Sequence, residues 1–426
     1  MILSKQNFPI IHPIGDISFE EPQSFVLKNG IKVFLFPGSK NDILSIDFLF
    51  DAGRWAEKKP LAGKSCSALI KSGTNSKSSF EMSETIDFYG STIKSSLGYN
   101  TFSIQLFCLH RYLSESLPLL KETIMDVIFP SHEVDLFKKN SLSQLKMNQE
   151  KTDYLADMAF KKLLFGDEHP YGYETNAKRI EALTKDDIQN YYNTQLCPEN
   201  CTILVSGRIT DSIEKELEFF FDNLIWTKKI NSPKIESIPI NPNSEKKHYF
   251  EKKGAVQASL NIGKILFNMN EPDYPEFLLT NTIFGGYFGS RLMTKIREEK
   301  GYTYGIHSSL QSLKYSGVFC IQTEIGVEHK KNCLADIYSE VNKMNNELVN
   351  NREITLARNY LLGKILSRID GPFNRAEQFK KYYIEGNSVT KLAEFVDKIK
   401  SCDANIIRNL SQKYLNPLTF TEVVVG

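Results

Sequence analysis

Residues 188–207 read IQNYYNTQLCPENCTILVSG, and residues 406–426 read IIRNLSQKYLNPLTFTEVVVG. Placing Gly207 over Gly426 gives an offset of 219 residues (426 − 207) between the two stretches. The same offset superposes further identical pairs, namely Ile188/Ile407, Asn190/Asn409, Leu196/Leu415, Pro198/Pro417, Thr202/Thr421 and Val205/Val424. In both copies a helical pattern stops before a proline and a β-branched run follows. Because the offset is about half of the chain, we predict that a large α/β-containing unit is duplicated.

The length of the chain also predicts more than one domain. A chain of 426 residues is too long for one ordinary hydrophobic core. Residues 226–247, WTKKINSPKIESIPINPNSEKK, contain three prolines and no apolar periodicity, which is typical of a linker. We therefore predict an N-terminal domain at 1–225, a linker at 226–247 and a C-terminal domain at 248–426.

The order of apolar patterns predicts the fold class. Strands are expected at Ile31–Phe36, Leu44–Phe50, Asn100–Leu109, Ala255–Gly263, Tyr304–Ser312 and Gly317–Glu324. Helices are expected at Ser83–Tyr89, Glu115–Ile128, His132–Asn148 and Tyr274–Phe284. Runs of strands followed by runs of helices favour an α+β fold. No glycine-rich turn closes a first βαβ unit, which disfavours a doubly wound sheet.

Composition excludes several classes of partner. The formal net charge is +1 and 24% of the residues are charged, so no strong field attracts nucleic acid or an anionic membrane. No apolar run approaches the length of a membrane span, and the N-terminal residues make a poor secretory signal. The seven cysteines are odd in number and widely spread, which favours free thiols in a reducing compartment. We expect a cytoplasmic protein.

The segment Pro60–Thr74, PLAGKSCSALIKSGT, contains the end of a possible phosphate-binding loop at Gly63, Lys64 and Ser65. Such a loop needs an earlier glycine that lets the backbone curl around the phosphate. That glycine would stand at position 58, which is a lysine. The nucleotide interpretation therefore fails on its own spacing.

Three longer segments carry a family resemblance. They are DAGRWAEKKPLAGKSCSALIKSGT with SFEMSETIDFYGSTIKSSLGYNTFSIQL at 51–106, AFKKLLFGDEHPYG at 159–172, and FGGYFGSRLMTKIREEKGYTYGIHSS at 284–309. Together they resemble the insulinase-type zinc metallopeptidases, which include the processing peptidases. The resemblance implies two homologous domains, each a mostly antiparallel sheet packed with helices, that form half of a clamshell.

The same resemblance implies that a metal site has been lost. Active members carry H-x-x-E-H on their first helix, where residues i and i+4 share a face and can bind one ion. Counting back from Gly73 and Thr74 places the two histidine positions on Lys64 and Ala68 and the glutamate position on Ser67. A distal glutamate position falls on Gln144. An ammonium, a methyl group and weak neutral donors cannot bind zinc, so we expect no cofactor in this chain and zinc only in a partner subunit.

In this family the C-terminal half contributes an arginine and a tyrosine that hold the peptide and stabilise charge on the scissile carbonyl. Arg291 and Tyr304 match those positions. Two structural alternatives stay open: Arg291 pairs with Glu298 or Glu299 on a helix, and Tyr304 is an aromatic residue on a half-buried strand. Gly285, Gly286 and Gly289 could cradle a phosphate, or could allow a close backbone approach.

The leading hypothesis is a non-catalytic subunit that is inactive alone. It would pair with a zinc-bearing homologue, enclose an extended peptide and supply Arg291 and Tyr304 to the partner's active site. One alternative is a structural or peptide-holding protein, like the core subunits of respiratory complexes. In that case this protein would self-associate. A second alternative is a self-sufficient peptidase with an atypical metal site. A homodimer is possible when the partner is missing.

Overall fold

The computed structural model describes residues 14–38, 41–222, 240 and 245–426. The described strands up to residue 222 are β1 (Gln23–Val26), β2 (Lys32–Pro37), β3 (Ile43–Phe50), β4 (Thr92–Leu97), β5 (Phe102–Leu109) and β6 (Cys201–Gly207). The helices of this half are α1 (Ala62–Leu69), α2 (Ser79–Phe88), α3 (Leu113–Met125), α4 (Ser131–Gln149), α5 (Thr152–Phe165), α6 (Ala177–Glu181), α7 (Lys185–Gln195) and α8 (Ile213–Phe221).

The C-terminal half repeats this pattern. Its described strands are β7 (Lys247–Phe250), β8 (Gln257–Leu266), β9 (Ile306–Leu313), β10 (Ser316–Gly326) and β11 (Thr421–Val425). Its α-helices are α9 (Tyr274–Asn281), α10 (Lys330–Asn346), α11 (Asn351–Ser367), α12 (Gly371–Ile384), α13 (Lys391–Ser401) and α14 (Ala404–Tyr414). Two π-helical segments, Thr282–Gly286 and Met293–Glu299, lie between α9 and β9.

Apart from the additional outer strand β1, the two sheets have equivalent topologies, which confirms the predicted duplication. The N-terminal sheet has the order β1-β2-β6-β3-β5-β4, and the C-terminal sheet has the order β7-β11-β8-β10-β9. In each sheet one neighbouring pair is parallel, β2 with β6 and β7 with β11, and the other described pairs are antiparallel. Helices α5 and α12 begin at Thr152 and Gly371, which differ by the offset of the repeat. The α+β prediction is confirmed.

Each half lends one helix to the sheet of the other half. Helix α5 packs on β8 and β11, where Ala156 and Phe160 join a buried cluster with Val423 and Val425. Helix α12 packs on β2 and β6, where the ring of Phe379 lies 4.6 Å from that of Phe34. Because this exchange covers apolar surface on both sheets, it holds the two halves together.

Most element predictions are confirmed, with shifts at the ends that have physical reasons. Helix α2 begins at Ser79 rather than Ser83, because Ser78 and Glu81 form a reciprocal capping box. The strand predicted from Tyr304 begins only at Ile306. Helix α9 ends at Asn281, and the rest of the predicted helix is π-helical.

Two further expectations concern the predicted linker and the lack of a membrane span. Of the predicted linker 226–247, only Ile240 and residues 245–247 lie within the described residues. Among the helices of the described part of the chain, none is both long and apolar enough to cross a bilayer.

A buried ion pair joins the halves at the exchanged helix α12. The ammonium of Lys380 lies 3.0 Å from Oδ2 of Asp47 on β3, and the two side chains are 18% and 4% exposed. The lysine at the equivalent position of α5 is Lys161, which instead pairs with Asp157 on its own helix. The side chains of that second pair are 38% and 39% exposed. One exchanged helix is therefore bound to the opposite sheet by a buried charge pair, and the other is not.

We predict that Lys380→Ala lowers the free energy of unfolding by about 3 kcal/mol, because it leaves Asp47 charged and buried without its cation. The matched variant Lys161→Ala should cost less than about 1 kcal/mol, since its pair is solvent-screened. Urea unfolding of both variants measures the difference. Equal losses of unfolding free energy would show that the Lys380–Asp47 pair stabilises the protein no more than the exposed Lys161–Asp157 pair.

An aromatic cluster also joins the halves, around a buried imidazole. His169 stacks on Phe165, and the ring of Trp55 contacts both His169 and Tyr315 of the C-terminal half. The Nδ1 atom of His169 accepts a hydrogen bond of 3.1 Å from the backbone N–H of Tyr171. Burial lowers the pKa of His169 to about 4, so the imidazole is neutral in the folded protein at neutral pH.

This lowered pKa predicts a loss of stability in acid. An unfolded histidine takes up a proton near pH 6.5, whereas the folded one does so only near pH 4. Stability should therefore fall as the pH drops through this window, by up to about 3 kcal/mol from this residue. His169→Asn keeps an acceptor for the Tyr171 N–H but does not titrate, so its unfolding free energy should depend less on pH. Parallel slopes for both proteins would contradict the assignment.

Candidate functional site

Helix α1 is held by a half-buried glutamate at its N-terminus. The residue before it, Leu61, has a left-handed backbone with φ 75° and no capping side chain. Instead, Oε1 of Glu57 accepts hydrogen bonds from the backbone N–H groups of Gly63 (2.8 Å) and Lys64 (3.2 Å). The Tyr173 hydroxyl donates to Oε2 of the same carboxylate at 2.5 Å. A carboxylate in this place satisfies free N–H groups and complements the helix dipole.

Gly63 is required by the packing of this helix. A Cβ atom there would lie 2.8 Å from the ring of Tyr191 on α7 and 3.0 Å from Oε1 of Glu57. Burial, partly offset by the hydrogen bond from Tyr173, raises the pKa of Glu57. The frame of α1 is therefore intact and tightly packed.

The positions that correspond to metal ligands carry no suitable donors. Lys64 and Ala68 are exposed on α1. Partial desolvation of the Lys64 ammonium, together with the nearby charge of Arg54, lowers the pKa of Lys64. Ser67 Oγ lies 2.9 Å from Oγ of Ser95 on β4, so its hydroxyl is used to join α1 to that edge strand. Gln144 is exposed on α4, which packs against α1, and its amide donates to Asn148 Oδ1 at 2.9 Å.

This donor set does not fit a zinc ion. Zinc in proteins takes thiolate, imidazole or carboxylate ligands, and the positions concerned offer an ammonium, a methyl group, a hydroxyl and an amide. Cys66 is fully buried, and burial raises the pKa of its thiol, so it stays protonated. Within the described ranges, no group of three or more His, Cys, Asp or Glu side chains is placed to hold a metal ion.

Arg291 forms an internal ion pair. Its Nε and Nη2 donate to the two carboxylate oxygens of Glu353 on α11, at 2.7 and 3.0 Å. The side chains are 16% and 19% exposed. The sequence alternative of pairing with Glu298 or Glu299 is wrong, because the partner lies 62 residues further along the chain. Glu353 thus occupies two of the five N–H donors of this guanidinium and balances its charge.

Tyr304 lies elsewhere, and its side chain is 93% exposed. The sequence alternative of a half-buried strand residue is wrong, because Tyr304 precedes β9 and points into solvent. No hydrogen bond to its hydroxyl occurs among the described residues. The guanidinium near it belongs to Arg297, whose Cζ lies 5.7 Å from the ring centroid of Tyr304 and 4.7 Å from that of Phe288.

From the sequence, Tyr304 was expected to act with Arg291. In the structure, Arg297 lies beside Tyr304 instead. Arg291 borders a depression of about 430 Å³ with Glu353, and Tyr304 borders a separate cavity of about 630 Å³. The spacing of Arg297 and Tyr304 in IREEKGYTY could have signalled the pair, but the π-helical turn Met293–Glu299 that aims Arg297 has no such signal.

The cavity beside Tyr304 lies on the face of the C-terminal sheet that α5 also covers. Its walls include Gln257, Ser259 and Asn261 of β8, Gln322 and Glu324 of β10, His307 of β9, and Asp153 at the start of α5. Gly285 also lines the cavity. A Cβ atom at this position would lie 2.8 Å from the backbone nitrogen of Ser308 on β9. Close packing against β9, rather than a phosphate, thus explains this glycine.

Comparison with known proteins places the chain among zinc peptidase relatives. Residues 182–361 match the family described as the peptidase M16 inactive domain. The chain is 19% identical to the uncharacterized zinc protease YmxG of Bacillus subtilis, over 91% of this chain and 94% of that protein. It is 22% identical to the non-peptidase homolog YmxG of Helicobacter pylori, over 90% of each.

Solved structures show the same fold. A peptidase M16 inactive domain from Pseudomonas fluorescens superposes with a TM-score of 0.83 at 20% identity, over 95% of this chain and 98% of that chain. A chain of complex III2 from Candida albicans, bound to Inz-5, gives a TM-score of 0.74 at 15% identity, over 95% of each. The predicted clamshell-type fold of two homologous domains is confirmed.

We predict that the purified chain, incubated with zinc and desalted, retains no stoichiometric metal by elemental analysis, because its donor set is unsuitable. The variant Lys64→His/Ala68→His/Gln144→Glu restores imidazole and carboxylate donors and should bind about one zinc per chain. It controls for the frame of the site. Stoichiometric zinc in the unaltered chain would contradict the prediction.

Proposed function

This chain is a homologue of the insulinase-type zinc metallopeptidases, of the kind that lacks the zinc motif, and we propose that it is the non-catalytic subunit of a two-chain peptidase. The observation that carries the proposal is the contrast between its two halves. The first helix keeps its frame but has lost every metal donor. The second half displays an exposed phenol beside a cavity and, next to that phenol, a guanidinium that has no ion-pair partner among the described residues.

The chemistry of Tyr304 and Arg297 suits stabilisation of a developing negative charge. A phenol and a guanidinium both donate hydrogen bonds without changing protonation at neutral pH. Donors aimed at the carbonyl oxygen of a scissile peptide stabilise the oxyanion of the transition state. Arg297 takes the role first assigned to Arg291, because Glu353 already neutralises Arg291.

The metal and its activated water would come from the zinc-bearing homologue. Zinc supplies a nucleophilic hydroxide and polarises the carbonyl. This chain would close over the substrate and donate to the carbonyl from the opposite side. The proposed site is therefore complete only in the pair.

An extended peptide is the substrate class that the fold favours. Strands β4 and β9 each form one outer edge of their sheet. An outer strand presents free N–H and C=O groups that can pair with an extended peptide, whatever its sequence. Ser95 of β4 is bonded to Ser67 of α1, so this edge runs directly beside the degenerate metal position.

We place the pair in the cytoplasm, because all seven cysteines are free and buried and such thiols are typical of a reducing compartment. A homodimer is expected when the zinc-bearing partner is missing. Size-exclusion chromatography with and without that partner distinguishes the two assemblies.

A second candidate function is that of a structural subunit that holds peptides without hydrolysis. The likeness to a chain of complex III2 favours it. In that case no partner would confer activity, and changes at Tyr304 would alter peptide affinity only.

We predict that this chain, mixed with the zinc-bearing homologue from the same genome, cleaves a fluorogenic peptide that neither chain cleaves alone. Tyr304→Phe and Arg297→Gln should each lower kcat by about a hundredfold or more, the usual loss for one oxyanion donor.

The control is Tyr302→Phe, which removes a nearby hydroxyl from a ring stacked on His329. It should keep kcat near the unaltered value. Full activity of the Tyr304→Phe mixture would refute the assigned role, and inactivity of every mixture would favour the structural alternative.

A further inference from the structure

Phe288 is a large aromatic side chain that the core does not use. It is 62% exposed and lies in the loop between the two π-helical segments. Single exposed aromatic residues are common and need no explanation. This ring differs because the Arg297 guanidinium is stacked on it, with Cζ 4.7 Å from the ring centroid.

Within the part of the chain that the structure describes, no side chain other than Phe288 and Tyr304 contacts the Arg297 guanidinium. No ion pair or hydrogen bond of its guanidinium occurs among the described residues, in contrast to Arg291 and its bidentate carboxylate. A long side chain without a partner samples many rotamers. A donor that must meet a carbonyl oxygen in one geometry loses effect when it is free to move.

The loop that carries Phe288 is itself fixed. Its far end is bound by the ion pair of Arg291 with Glu353. Its near end contains Tyr287, whose ring lies 5.1 Å from that of Tyr360 on α11. Gly289 comes directly after Phe288, and a Cβ atom at Gly289 would lie 2.9 Å from the Tyr287 ring. The backbone that carries Phe288 is therefore held on both sides of the residue.

We infer that Phe288 is a positioning residue, whose ring holds the Arg297 guanidinium beside the Tyr304 phenol at the mouth of the cavity. The inference rests on the proposed function, because it assigns Phe288 to the same donor pair. The attraction is between the guanidinium charge and the electron-rich face of the ring, so any aromatic residue should preserve it and an aliphatic residue should not.

This account gives Arg291 and Glu353 a role as well. The ion pair anchors the loop that carries Phe288. It therefore affects the position of Arg297 without contacting the substrate. Core packing does not otherwise explain why an aromatic residue stands at position 288, directly after two glycines and Tyr287.

The test compares Phe288→Leu, Phe288→Trp and Tyr304→Phe in the full chain, each alone and mixed with the zinc-bearing homologue. In the isolated chain, the Nε–Hε signal of Arg297 in a nitrogen-15 NMR spectrum should be shifted upfield by the ring current of Phe288. That shift should vanish in Phe288→Leu and persist in Phe288→Trp. In the mixture, Phe288→Leu should lower kcat for a fluorogenic extended peptide by about two- to fivefold with KM nearly unchanged. Phe288→Trp should restore kcat.

Two outcomes overturn the inference. One is an Arg297 signal in the unaltered chain without an upfield shift. The other is a Phe288→Leu mixture with unaltered kcat when Tyr304→Phe has lost activity. The proposed function fails separately, when Tyr304→Phe keeps full activity or no mixture cleaves the peptide, and the positioning role then falls with it.

Discussion

The exchange of α5 and α12 between the two sheets is the constraint on which the rest of the structure depends. Each helix covers apolar side chains of the opposite sheet, Val423 and Val425 in one half and Phe34 in the other. Neither sheet could bury that face by itself. The exchange therefore fixes both halves in one body. The parts of these sheet faces that the exchanged helices leave uncovered, including the cavity beside Tyr304, are available to a ligand.

Packing also explains why a helix without chemistry has kept its frame. One side of α1 is tied to the fold by Glu57, by the close contact of Gly63 with Tyr191 and by the buried Cys66. Changes there would cost stability. The opposite side carries Lys64 and Ala68, which are exposed and contribute little to the core. Loss of metal donors on that side leaves the fold intact, so fold and chemistry can separate within one helix.

The sequence predicted the duplication and most strands because these depend on local patterns. A helix, a proline and a β-branched run recur at a fixed offset, and the structure places them as α7 with β6 and α14 with β11. The lack of zinc donors at Lys64, Ser67, Ala68 and Gln144 follows from residue type alone and needs no structure. The ends of α2 and α9 could not, because a capping box and a π-helical turn decide them.

The partner of Tyr304 was harder to predict for a physical reason. Arg291 and Arg297 lie six residues apart in one segment, and both are reasonable donors by residue type. Their difference arises from Glu353, which lies far along the chain and binds only Arg291. A contact between distant residues leaves no local trace in the sequence, so only the folded chain separates the two arginines.

The central claim is that this chain contributes hydrogen-bond donors, and no metal, to an active site shared with a zinc-bearing homologue. A structure of the two chains together, with a peptide trapped by removal of the partner's catalytic carboxylate, tests it most directly. The account predicts one zinc per pair, in the partner, with the Tyr304 hydroxyl and the Arg297 guanidinium within hydrogen-bonding distance of the carbonyl nearest the metal. A peptide that lies away from both side chains, or a zinc ion bound at Lys64 and Ala68, would contradict it.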